Sequence, residues 1–119
     1  MKKKFSIIML AIMLVLSLVG CGSKLNDHNT ETAKSIIETV DLYLDGHIDA
    51  EMALNKIDEE HDNIDEYDEN STERTLLSSG TTIIATELFL FTTDNGGDVE
   101  KIITERNNIA DLVGESKYK

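Results

Sequence analysis

Residues 70–93 read NSTERTLLSSGTTIIATELFLFTT, and the fold class turns on whether they form one helix or two strands. Thr81-Thr82-Ile83-Ile84 and Phe89-Leu90-Phe91-Thr92-Thr93 are rich in residues that favour pleated structure. Gly80 weakens a helix by roughly 1 kcal/mol. Against this, Asn70 is placed as an N-cap and Glu73 stands three residues on, the spacing of a capping box. The rest of the chain also offers no second run of strand character to pair with. A lone strand leaves its backbone N–H and C=O groups without partners. The spacing therefore predicts a helix to about Thr93. From Ile83 to Phe91 it is apolar almost all round, as expected of a buried helix.

The same reasoning runs outward. Asp94-Asn95-Gly96-Gly97 is the clearest turn in the chain. Asp98 then caps a helix to about Val113, with a face of Val99, Ile102, Ile103, Arg106, Ala110 and Val113, and Gly114 to stop it. Residues 115–119 are expected to be a loose tail. Upstream, Asp49 to about Tyr67 reads as a helix with the face Ala50, Ala53, Leu54, Ile57, His61, Ile64 and Tyr67. Ile48 is placed to staple its start. Thr30 to Asp45 reads as the first helix of the series, with Asn29 or Thr30 as cap and Gly46 as its end. Its apolar face is Ala33, Ile36, Ile37, Val40, Tyr43 and Leu44. Four amphipathic helices with short joints predict an all-α protein, a small antiparallel up-down bundle over residues 30–114.

The chain carries a net charge of −12. Three of its eleven bases lie at Lys2-Lys3-Lys4, so residues 21–119 hold eight bases against 23 acids, a net −15. That balance excludes nucleic acid, which needs a basic footprint, and flat adsorption on anionic lipid. Eight carboxylates fall between 58 and 69 with no Lys or Arg among them: Asp58, Glu59, Glu60, Asp62, Asp65, Glu66, Asp68 and Glu69. Negative charge at a helix C-terminus opposes the helix dipole, so this end is expected to fray or to be held only by packing. Asp58, Asp62, Asp65, Glu66 and Glu69 are the candidate interaction or cation face.

The N-terminus has the three parts of an export signal. Lys2-Lys3-Lys4 are basic, Phe5 to Val19 is apolar apart from Ser6 and Ser17, and Gly20 is small. Leu18-Val19-Gly20-Cys21 resembles the lipobox of bacterial lipoprotein signal peptides, a resemblance covering residues 1–21. It implies a diacylglyceryl group on Cys21 and cleavage between Gly20 and Cys21. The protein would then sit on the extracytoplasmic face of the cell membrane, held by its lipid. Two acyl chains suffice for stable anchoring where one does not. An ordinary signal peptide and an uncleaved membrane helix are the alternatives, although Phe5–Val19 is short for a span of about 20 residues. Residues 22–29 read as a tether that reaches roughly 28 Å. Cys21 is the only cysteine, so the domain beyond it has no disulfide and no cysteine-based metal site.

Reactive chemistry finds little support. A calcium loop needs oxygen ligands at positions 1, 3 and 5, Gly at 6 and Glu at 12. Counting from Asp62, Ile64 and Tyr67 fall at 3 and 6; counting from Asp94, Gly96 and Val99 do. Asp58, His61 and Asp65 share a helical face, but the carboxylate–histidine pattern has no second copy, so no metal or other cofactor is expected. His61 is better read as a boundary histidine bonded to a nearby carboxylate. Ser78-Ser79-Gly80 lacks a nucleophile elbow. Glu87 and Arg106 are anomalous on apolar faces; they either pair across the bundle or reach out to water. The expected role is a non-enzymatic interaction module that binds an unknown protein partner or itself. The alternatives are an accessory subunit of an exported or membrane machine, in transport or phage exclusion, and weak divalent-cation binding by 58–69.

Overall fold

A computed structural model describes residues 24–118. Gly20 and Cys21 lie outside the described residues. Four helices follow in order: α1 Asp27–Leu44, α2 Ala50–Asp62, α3 Ser71–Thr92 and α4 Val99–Val113. No strand occurs among the described residues, and the 70–93 stretch is a single helix. Each helix packs on the next, and α4 returns to α1, which closes a four-cornered up-down bundle; α1 and α3 touch only along the diagonal. Ile36, Ile57, Leu77, Ile84, Leu88, Ile102 and Ile109 fill the centre and are fully buried.

The boundaries differ from the sequence expectation at three places. First, α1 begins one turn early. Asn26, not Asn29 or Thr30, is the cap, and its Oδ1 accepts the Asn29 N–H at 2.8 Å. Leu25 is buried, so the expected tether over 22–29 is in its second half part of the folded body. The Lys24 N–H donates to the Leu112 carbonyl at 3.2 Å, which straps this end to α4.

Second, α2 stops at Asp62 instead of running to about Tyr67. An acidic C-terminus opposes the dipole, and the chain leaves the helix so that two carboxylates can turn inward. Tyr67, expected on the inner face, is 93% exposed. Third, the expected loose tail is held. The Tyr118 hydroxyl donates to Asp45 Oδ1 at 2.7 Å, and the Tyr118 N–H donates to Asn107 Oδ1 at 2.8 Å.

At the start of α3 the expected capping box does not form: the Asn70 side chain makes no capping bond, and its N–H donates to Asp68 Oδ1. The other ends follow local chemistry. Asp49 Oδ1 accepts the Met52 N–H, and Asp98 Oδ1 accepts the Glu100 N–H. Gly114 closes α4 with φ +72°, a left-handed backbone that only glycine adopts without a steric cost. Gly80 stays in α3 because α4 packs close there: a Cβ at this position would lie 3.3 Å from Glu105 Oε1 and 3.4 Å from the Ile109 side chain.

Candidate functional site

The carboxylates singled out between 58 and 69 do not form one face. Asp65 and Asp68 turn towards the start of α1. Asp65 Oδ2 accepts from Asn26 Nδ2 at 3.0 Å, and Asp68 Oδ2 accepts from the Asn26 N–H at 2.9 Å and from Asn29 Nδ2 at 3.0 Å. Asn29, fully buried, also accepts the Asp65 N–H at 2.7 Å. Burial pushes the Asp68 carboxyl up, and the bonds from Asn26, Asn70 and Asn29 outweigh that and hold it below the usual carboxylate range. Glu60 is also buried, with Lys56 Nζ 3.0 Å from its Oε2. The segment is therefore neither frayed nor evenly solvated. It ties the α2–α3 loop to the first turn of α1. Asp58, Asp62, Glu66 and Glu69 remain exposed. Among the described residues no group of three or more His, Asp or Glu side chains comes together to hold a metal ion.

His61 meets hydroxyls, not a carboxylate. Its Nε2 lies 3.3 Å from both Ser78 Oγ and Thr82 Oγ1. Glu87 and Arg106 do not pair with each other and do not reach out to water; both are buried. Glu87 Oε1 accepts the Asp98 N–H at 2.8 Å and steadies the start of α4. Arg106, 5% exposed, grips Asp41 of α1 through Nε and Nη2, each at 2.8 Å, and its Nη1 donates to the Ser116 carbonyl at 2.6 Å. A polar groove of about 480 Å3 between α1 and α4 opens beside this clamp, lined by Glu31, Lys34, Glu38, Asp41 and Arg106 among others. The base at its wall is thus occupied by the protein's own acceptors, and the other charged groups around it are mostly acids.

The unusual surface is the outer face of α3. Thr75, Leu76, Ser79, Thr82, Ile83, Thr86, Phe89, Thr92 and Thr93 are exposed, and none carries a charge. The charged side chains of α3 are Glu73, Arg74 and Glu87, all at least partly buried. The expectation of a helix buried on all sides is corrected here. Ile84 and Leu88 are in the core, but Leu76 is 54%, Phe89 53% and Ile83 36% exposed. Twenty-two residues in one bundle corner cannot bury every side, and the apolar surplus faces outward. By length and composition alone, α3 is also long and apolar enough to cross a membrane.

Two shallow grooves flank this ridge. The one towards α2, about 380 Å3, is lined by Leu54, Asp58, His61, Thr82, Ala85, Thr86 and Phe89. The one towards α4, about 320 Å3, is lined by Ile83, Thr86, Glu87, Lys101 and Glu105. Only the surplus of apolar residues between 83 and 91 pointed to this surface from sequence; which side of α3 faces solvent needed the packing. No protein-family model matches the chain, and neither a curated protein nor a solved structure does.

Proposed function

We propose that the chain is a membrane-anchored surface lipoprotein whose acidic helical domain is a non-enzymatic protein-interaction module. The observation that carries the interaction role is the outer face of α3. Exposed apolar residues grouped on a surface mark contact sites, and this group lies on an uncharged stripe of a chain whose residues 21–119 bear a net −15. A partner approaching there meets little electrostatic opposition and can bury Leu76, Ile83 and Phe89. The buried charges contribute to the same reading: Asp68, Glu87 and Arg106 are each satisfied by groups of the fold itself. The anchor rests on the resemblance of residues 1–21 to a lipoprotein signal.

The test is a cross-linked pull-down from intact cells of the full-length chain with a C-terminal tag, beside the variant Ile83→Asp. Enrichment of a protein by the parent and its loss in Ile83→Asp is the expected result. An empty capture at equal expression in both, from a parent chain that is also monomeric by light scattering, would overturn the interaction role. For the anchor, Cys21→Ser should release the protein from the membrane fraction. Unchanged tight retention of an uncleaved Cys21→Ser chain would replace the lipid with a membrane-spanning helix.

A further inference from the structure

The outer face of α3 has a repeat that the interaction role alone does not require. Leu76, Ile83 and Leu90 recur every seven residues, and Ser79, Thr86 and Thr93 recur every seven residues between them. These are the two seam positions of a heptad, one large and apolar, the other small and hydroxylic. Of the six, Leu90 is half-buried and the others are exposed. We propose that the occupant of this face is a second copy of the chain, packed antiparallel along α3 about a two-fold axis midway between Ile83 and Thr86. The inference rests on the interaction reading above and names its partner.

Three features favour a second copy. In an antiparallel pair the large position of one helix meets the small position of the other. With the axis between Ile83 and Thr86, Leu76 meets Thr93 of the second copy, Ile83 meets Thr86 and Leu90 meets Ser79. Each of these three apolar knobs then faces a small side chain, and the pattern is self-complementary as a two-fold interface demands. Parallel pairing instead sets large on large and small on small, leaving gaps at the serine and threonine layers.

The second feature is charge. Two strongly acidic chains repel, and the α3 stripe itself carries no carboxylate, although Asp58 and Glu105 stand at its flanks. Beside it, α4 carries one base and one acid on opposite sides of the axis level. Lys101 Nζ lies 3.9 Å from Glu87 Oε2, and Glu105 packs against Gly80. The axis falls between these levels, so antiparallel pairing brings Lys101 of each copy alongside Glu105 of the other.

The third feature is the poor fit of the rival occupants. A helix that lies on a membrane presents Lys or Arg beside its apolar face. Here the exposed stripe has no base, and the single flanking base, Lys101, is outnumbered by Asp58, Glu87 and Glu105.

Disulfide trapping of the full-length chain in membranes tests the register, since Cys21 is the only native cysteine. Two differently tagged copies are co-expressed, one with Leu76→Cys and the other with Thr93→Cys, and mildly oxidised. The expected result is a mixed-tag disulfide dimer at least tenfold more abundant than from the parent, from Leu76→Cys alone, or from Glu38→Cys on α1. Same-site dimers at both 76 and 93 would show a parallel pair and overturn the proposal. No 76–93 dimer above the parent level would overturn it as well. As a second measurement, the full-length chain in detergent should lose half its protein mass by light scattering on Ile83→Asp, with unchanged helical circular dichroism. A parent that is already monomeric overturns the dimer. If that monomer still captures another protein through Ile83, the interaction role stands; if it captures nothing, both fall.

Discussion

The two sides of the bundle treat side-chain chemistry in opposite ways. Along the α1–α4 edge, polar and charged groups are numerous, and several that are buried or half-buried are answered within the fold: Arg106 by Asp41 and Ser116, Tyr118 by Asp45, and Asn107 by Tyr118. Along the outer face of α3, charge is missing and apolar surface is left over. The contrast separates a surface rich in reactive groups from the one on which the proposed interaction rests. A groove rich in ionisable residues draws attention, but its guanidinium already donates to Asp41, Asn107 and Ser116. The plain threonine-rich ridge leaves Leu76, Ile83 and Phe89 exposed, the surface that the proposed neighbour would cover.

Adjacent leucines put the contrast to its hardest test. Leu77 is fully buried and Leu76 is mostly exposed. Leu77→Ala should destabilise the fold by about 3 kcal/mol, since it removes transfer energy and leaves a cavity. Chemical denaturation followed by circular dichroism measures it, as a lower midpoint at unchanged slope.

Next comes the clamp. Asp41→Ala leaves the Arg106 guanidinium buried without its carboxylate and should cost about 3 kcal/mol. Thermal melts of Asp41→Ala, Arg106→Met and the double variant form the cycle that isolates the pair. The double variant should be less destabilised than the sum of the two singles.

The knot at the start of α1 gives a somewhat smaller effect with a pH signature. Asp68→Asn replaces a carboxylate that accepts bonds from Asn26, Asn29 and Asn70 and should cost roughly 1–2 kcal/mol near neutral pH. The Asp68 pKa is depressed in the fold, so its contribution is complete above the unfolded-state value of about 3.9 and is lost as pH falls through the lower folded value. The stability gap between wild type and Asp68→Asn should be flat above about pH 5 and narrow below about pH 4. Urea midpoints along an acid series measure it. Smallest of all, Leu76→Ala should change the stability of the dilute monomer by no more than about 0.5 kcal/mol. A loss as large as that of Leu77→Ala would erase the distinction between the two faces of α3.

The helical class and the count of four helices could be read from apolar spacing and capping residues, because both act within a few residues. Asp49, Asp98 and Gly114 stand where their chemistry required. What could not be read was the side of α3 that faces out, since Ile83, Ile84, Leu88 and Phe89 look alike until α2 and α4 occupy two of its flanks. Nor could the fate of the acid run be read. Asp68 and Glu60 are buried because Asn29 and Lys56 stand opposite them, and Asn29 is 39 residues from Asp68. The early start of α1 was missed for a related reason: Asn26 as a cap competes with Asn29 and Thr30, and the choice falls to Asn26 once Leu25 packs into the core.

The strap between Lys24 and Leu112 has a mechanical consequence. On the proposed lipid anchor, only residues 21–23 lie between the acyl chains and the first backbone bond of the folded body. Three residues span at most about 10 Å. A leash that short confines the protein to a thin layer over the bilayer and leaves it two dimensions in which to travel. Encounters between copies are then governed by surface density, and confinement raises the effective concentration at which a weak contact is made. The contact that holds two copies together in detergent is then populated more fully at the membrane.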